Sequence, residues 1–261
     1  MQVLKHELRR GRRSLLIWAL AIGGMLAIVV LIYPQMKASL QGFGGLVATM
    51  GVFAKAFGLD KLDFTQLLGY YALETGNVLG IGGAMFAGLT GILSVSREED
   101  GHLAEFLFSH PIRRGRVLWQ KLLAVLCQIL ALQLICLAIA ALAIWLIGQG
   151  DQLPALLPLH LALALMSLQI GLLSFGLSCL SHRNNFGLGI GLSLMLYFLQ
   201  LISAIATGAQ WLRWLTPFAY ADAASVLSKG IAWPLVAAGW AVSATVAAVG
   251  LLHYRGKDLA A

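Results

Sequence analysis

Apolar residues run along this chain in long blocks, and polar residues collect in the short stretches between them. A helix that crosses a bilayer needs about 20 consecutive, mostly apolar residues. Six blocks reach that length, over 14–33, 71–95, 122–147, 156–180, 186–207 and 233–252. The spacing predicts an all-α integral membrane protein with six transmembrane helices. The fourth and fifth blocks are separated only by residues 181–185, but together they are too long for a single crossing. The first block follows a basic stretch, as a secretory signal would. Its apolar core is too long for one, no small-residue cleavage site follows, and further spans come after it, so it is read as a retained span.

Between the blocks, 34–69 is a long connection in which Phe43, Leu46, Val47, Met50, Phe53 and Phe57 recur at helical spacing. That pattern predicts an amphipathic helix lying along the external face of the membrane. A second connection, 208–232, carries Trp211, Trp214, Pro217 and Phe218. The third, 97–121, is a large loop with a distinctive pattern of its own. No separate soluble domain and no internal repeat are expected, so residues 1–261 read as one membrane domain.

Composition agrees. Of 261 residues, 59% are apolar and 11% are charged, where a soluble domain carries about 25% charged residues. The formal charge of +7 does not indicate nucleic acid, because the cations form short clusters between apolar blocks rather than one stripe. Cys127, Cys136 and Cys179 all fall inside apolar blocks, which argues against disulfides and against a structural zinc site.

The cations orient the chain. With the N-terminus in the cytoplasm, the inner segments collect Lys5, Arg9, Arg10, Arg12, Arg13, Arg97, Arg113, Arg114, Arg116, Lys121, Arg183, Arg255 and Lys257. The outer ones keep Lys37, Lys55, Lys61, Arg213 and Lys229. This is a positive-inside bias, and it places both termini and the 97–121 loop in the cytoplasm. Tyr33, Tyr70, Tyr71, Trp145, Trp211, Trp214 and Trp233 then form an outer aromatic belt, with Trp18, Trp119 and Tyr254 at the inner ends.

The sequence contains no G-x-x-x-x-G-K-[ST] loop to cradle nucleotide phosphates, no H-E-x-x-H and no G-x-S-x-G. Energised work would therefore need a partner. The informative segment is the 97–121 loop. Glu98, Glu99 and Asp100 suit the positive end of a short helix. Leu103, Phe106 and Leu107 fall at i, i+3 and i+4 and make an apolar knob. Pro111 stops the helix, because proline disfavours helix in the residue before it. Such a helix can enter a groove on a soluble partner, or it can simply anchor the loop at the interface.

The stretch from Glu98 to Arg114 resembles the cytoplasmic loop of type-2 ATP-binding-cassette (ABC) permeases. In that family an acidic pair, a glycine and a leucine-rich turn lead to Ser-x-Pro, an arginine and a lysine entering the third span. Here these are Glu98, Glu99, Gly101, Leu103, Leu107, Ser109, Pro111, Arg113 and Lys121. Residues 5–18 are similar to the family's N-terminal helix and first span, and 214–220 to its Pro-Phe segment before the last span. His102 departs from the pattern, which more often has a small polar residue such as threonine there. The resemblance implies a permease subunit, of an exporter, whose loop is a coupling helix bound by a separate ATPase subunit. ATP and magnesium would sit on that subunit and not on this chain. A second permease, copy or paralogue, would complete the unit in a bacterial cell membrane. Leu103, Phe106 and Leu107 would be the mechanical contact, with Glu98, Glu99, His102 and Glu105 around it.

Other residues bear on the reading. Glu74 is an ionisable residue within a span, with Asn77 three positions on. It is either a functional group or a hydrated one at headgroup level beside Tyr70 and Tyr71. Gly76, Gly80, Gly83 and Gly91, with Ala87, make a small-residue groove on the second span. Gly187 and Gly191 repeat the spacing on the fifth, for packing within the chain or for a dimer seam. Gln128, Gln133, Gln169 and Gln200 suit hydrogen bonds between helices, or a translocation path. Two alternatives remain beside the permease. A membrane-embedded enzyme needs converging His, Asp or Glu residues at one depth, and the spans read as nearly free of them. A transporter driven by an ion gradient needs buried ionisable groups or broken helices in inverted repeats.

Overall fold

The computed structural model describes residues 2–40, 43–100, 114–181 and 186–256. Among them the chain forms α1 (Gln2–Leu40), the short α2 (Phe43–Thr49) and α3 (Val52–Ala56), α4 (Leu67–Asp100), α5 (Arg114–Leu146), α6 (Leu153–Leu180), α7 (Phe186–Ile205), the short α8 (Ala223–Lys229) and α9 (Trp233–Gly256). No strand occurs among the described residues. Six of these helices, α1, α4, α5, α6, α7 and α9, are long and apolar enough to cross a membrane.

Several helices run well past the apolar blocks. α1 begins at Gln2 rather than near 14 and ends at Leu40 rather than 33. α4 continues to Asp100, and α5 starts at Arg114 rather than 122. At 1.5 Å per residue, α1 measures roughly 58 Å against a hydrocarbon core of about 30 Å. Hydropathy marks the part that lipid can hold, whereas backbone hydrogen bonds carry a helix on into the polar zone. Pro34 lies inside α1 without ending it. A proline removes one hydrogen bond and crowds the carbonyl four residues back. The helix nevertheless runs on past Tyr33, which is buried and donates its hydroxyl to the Thr65 carbonyl at 2.7 Å.

α4 and α6 are the most enclosed spans and pack extensively on each other, while α1, α7 and α9 lie further out. α1 packs on α5, α9 on α6 and α7 on α4. Ile17, Leu20, Met25 and Ile28 on α1, Leu130 and Leu134 on α5, and Phe198 and Ile202 on α7 form the exposed apolar surface that lipid or a partner helix would cover. Three backbones touch through glycines. A Cβ added at Gly91 of α4 would lie 2.6 Å from the Gly171 carbonyl oxygen of α6, and one at Gly88 would strike the Gly189 carbonyl of α7. Small residues at such crossings let membrane helices approach closely.

The expected surface helix over 43–57 is two helices. Gly51 adopts φ +52, outside helical geometry, and separates α2 from α3. The 208–232 connection is also folded rather than loose. Thr216 donates its hydroxyl to the Leu196 carbonyl at 2.6 Å, and Pro217, Phe218 and Tyr220 are buried. Burial raises the Tyr220 phenol above its ordinary range. Part of the expected aromatic belt turns inward too. Tyr33, Tyr71 and Tyr254 are buried, whereas Trp119, Trp145, Trp211, Trp214 and Trp233 are exposed.

Candidate functional site

Residues 101–113 join α4 to α5, and the two helix ends that bracket them meet the start of α1. Lys121 lies on the face of α5 that also buries Val117, Leu118, Leu122 and Val125. Its side chain is only 2% exposed. A lone cation in such a place would be costly, so it needs charge and hydrogen-bond partners. Its Nζ donates to Glu7 Oε1 of α1 at 3.0 Å and to the Ser94 carbonyl of α4 at 2.8 Å. One ammonium thus ties three helices together at the base of the loop. The Leu4 amide of α1 adds a longer bond, 3.4 Å, to Gln120 Oε1 of α5.

On the same stretch of α4, Ser178 of α6 makes a second fastening. Its hydroxyl donates to the Ile92 carbonyl at 2.6 Å and accepts from the Val95 and Ser96 amides at 3.3 and 3.2 Å. Beside this clamp a cavity of about 250 Å³ lies between α1, α4 and α5, with Glu7, Arg10, Ser14, Lys121 and Gln128 among its polar lining. No cluster of metal-ligating side chains occurs among the described residues. What the arrangement can do is hold three helix ends as one rigid foot.

Glu98 and Glu99 lie on the last turn of α4. The acids expected to open a new helix therefore continue the second span, because no helix-breaking residue intervenes before Gly101. Gly101, His102, Leu103, Glu105, Phe106, Leu107, Ser109, Pro111 and Arg113 lie outside the described residues.

The small-residue positions divide. Gly76 faces Ala223 of α8, Gly80 faces Leu163 of α6, and Gly83 faces Gln133 of α5 and Ser167 of α6, while Gly91 meets Gly171. All four contact other elements of this chain. Among the described residues, Gly187 and Gly191 have nothing within 4 Å of where a Cβ would stand. The close approach on α7 belongs instead to Gly189, with Gly88 opposite it.

Glu74 is half-buried, and none of the hydrogen bonds or ion pairs among the described residues involves it. The Asn77 amide donates back to the Leu73 carbonyl at 3.0 Å. The glutamines mostly bond within the bundle: Gln133 Nε2 donates to Ser167 Oγ at 2.8 Å, and Gln169 Oε1 accepts from the Tyr220 hydroxyl at 2.7 Å. Sequence reasoning missed His160. It is buried in α6, with Nε2 2.8 Å from the Tyr71 hydroxyl of α4. A single histidine inside the 156–180 block was the available signal. The Lys121–Glu7 pair was also missed, because nothing local in the sequence joins the two positions.

The family model described as "ABC-2 family transporter protein" matches residues 1–258. No curated protein matches the chain. Permeases of that family are membrane components of transporters that work with an ATPase subunit. With six helices fit to span a bilayer and a match over nearly its whole length, this chain belongs to the ABC-2 transporter family as a multi-pass membrane permease.

Proposed function

We propose that this chain is the membrane half of an ATP-driven exporter whose motor is a separate ATPase subunit. The observation that carries the reading is the family match over residues 1–258. With six crossings, the start of α1, the end of α9 and the ends of α4 and α5 that bracket residues 101–113 fall on one side of the membrane. The lysine and arginine bias makes that side cytoplasmic, where an ATPase would find the loop. ATP and magnesium are held by the ATPase, which engages Leu103, Phe106 and Leu107. A second permease, copy or paralogue, faces this one, and the exposed Gly187–Gly191 side of α7 suits that seam. The pair sits in a bacterial cell membrane.

The mechanism follows from the foot of the bundle. Closure of the ATPase dimer displaces the loop, and the displacement enters α4 and α5 at their loop ends. Lys121 fastens both to α1 through Ser94 and Glu7, so the three helices tilt together. Rigid-body tilting of packed helices is one of the established ways a protein switches between two states.

The test replaces Leu103 and Phe106 with aspartate and purifies the complex from its membrane. The expected result is loss of the co-purifying ATPase and of substrate-stimulated hydrolysis. Unchanged co-purification with unchanged activity would sink the assignment.

A further inference from the structure

At the end of the bundle away from the 97–121 loop, a cavity of about 400 Å³ opens between the last turns of α7, the start of α9 and the connections beside them. Lys55, Lys61, Arg213 and Lys229 all line it, and Asp222 is the acid among its lining residues. They are four of the five cations on this side of the chain; Lys37 is the fifth. They come from four separate pieces of chain: α3, the turn over 59–61, the turn over 210–214, and α8. No spacing in the sequence gathers them, but the fold does.

None of the four forms an ion pair among the described residues. Asp222 is already engaged, accepting the Ser225 amide at 3.0 Å as the cap of α8. The walls are built. Gly58 turns left-handed, and a Cβ there would come within 3.1 Å of Ala224, which seats the turn bearing Lys61 against α8. Gly230, at φ +77, ends α8 directly after Lys229. Gln200, Ser203 and Gln210 add neutral hydrogen-bonding groups to the lining.

Clustered cations around a concave, partly walled site attract an anion and hold it more strongly than scattered ones do. The site also has a depth. Trp211 and Trp214 flank Arg213, Trp233 opens α9, and all three are exposed, as aromatic residues at a headgroup layer are. We propose that this cavity binds the phosphate group of an anionic amphiphile at headgroup level, with Lys61, Arg213 and Lys229 as the main phosphate contacts. The cation cluster carries this claim whichever way the chain is oriented. With the orientation proposed above, the site faces outward, on the side where an exported amphiphile would leave.

The test uses the full chain in mild detergent and counts bound lipid by native mass spectrometry. Dioctanoyl phosphatidylglycerol is titrated against dioctanoyl phosphatidylcholine, which shares its tails. The variants are Lys61→Gln/Arg213→Gln and, as control, Lys37→Gln, a cation of the same side outside the cavity. A surface cation contributes roughly a fivefold factor to binding anionic lipid. The double variant should therefore weaken phosphatidylglycerol binding about 10- to 25-fold, while Lys37→Gln and a charge-keeping Lys61→Arg/Arg213→Lys variant keep it. Competition by inorganic phosphate would support the site and mark the bare phosphate as the recognised group. Phosphatidylglycerol binding that phosphate does not displace would support a lipid-borne source. Equal binding of the two lipids, or a double variant no weaker than Lys37→Gln, would overturn the proposal. None of these readouts involves the ATPase, so they stand or fall apart from the coupling experiment.

Discussion

Lys121 Nζ lies 3.0 Å from Glu7 Oε1, joining two residues 114 positions apart. The lysine is almost wholly enclosed and the glutamate 15% exposed, so water screens the pair weakly. Removing one member of a buried pair leaves the other charge without a partner, at roughly 3 kcal/mol or more. Lys121→Met should therefore lower the unfolding midpoint in detergent clearly, and Glu7→Gln somewhat less. Lys121→Met with Glu7→Leu should recover much of the loss, because neither member of the pair then faces an unpaired partner. If Lys121→Met cost no more than substituting exposed Lys37, the clamp would have no energetic weight.

The glycines make an opposed pair of expectations. Gly91→Ala puts a methyl group 2.6 Å from the Gly171 carbonyl oxygen and 2.7 Å from Ser174 Cβ, and the backbone atom cannot swing aside. Overpacking of this kind costs about 1–3 kcal/mol. Gly187→Ala and Gly191→Ala meet nothing within 4 Å among the described residues, and alanine favours helix over glycine by up to about 1 kcal/mol. Those two variants should leave the isolated chain as stable or slightly more so in thermal unfolding. If they instead separate paired permeases on size-exclusion chromatography, that face of α7 is the seam.

What was legible in the sequence was whatever the bilayer dictates. Six apolar blocks had the length of a crossing, and six helices stand there. The helix ends were not legible, because the polar first turns of α1 and α5 have no apolar signature, yet their backbones keep bonding helically. Lys121 read as an interface cation, since its partner Glu7 is distant in the chain. Tyr33 and Tyr71 read as belt residues. Only the fold reveals that the Tyr33 hydroxyl meets the Thr65 carbonyl in the turn before α4 and that the Tyr71 hydroxyl meets His160 inside the bundle. The four cations around the cavity at the opposite end were scattered over 55–229 and looked like a remainder of the charge bias.

The turn leading into α4 should respond to acid. Asp63 accepts from the Thr65 hydroxyl at 2.6 Å, the Thr65 amide at 3.0 Å and Gln66 Nε2 at 3.1 Å. These bonds favour the ionised form, so its carboxyl lies below the usual carboxylate range. A group whose folded value is depressed contributes fully above its unfolded value. That contribution fades as pH falls below the ordinary carboxylate range and through the folded value. Amide exchange at Thr65 and Gln66, followed by mass spectrometry after correction for the intrinsic rate, should therefore accelerate in that acid window. Asp63→Asn should exchange faster at neutral pH and lose the acid step. An acid step that survived in Asp63→Asn would assign it to another group.

The 208–232 connection is held to the bundle by the Tyr220 hydroxyl, which donates to Gln169 Oε1 of α6 at 2.7 Å, with both residues buried. Tyr220→Phe keeps the ring and its packing but leaves the glutamine oxygen without this donor. An unsatisfied buried acceptor costs about 1–3 kcal/mol. Gln169→Leu alone strands the tyrosine hydroxyl at a similar cost, whereas the double variant removes both needs. The double-mutant cycle should thus return a coupling of about 1 kcal/mol, with the pair of changes costing less than the sum of the singles. Additive losses would mean that the two side chains find other partners and that the connection is fastened elsewhere, with Thr216 and its bond to the Leu196 carbonyl as the next residue to change.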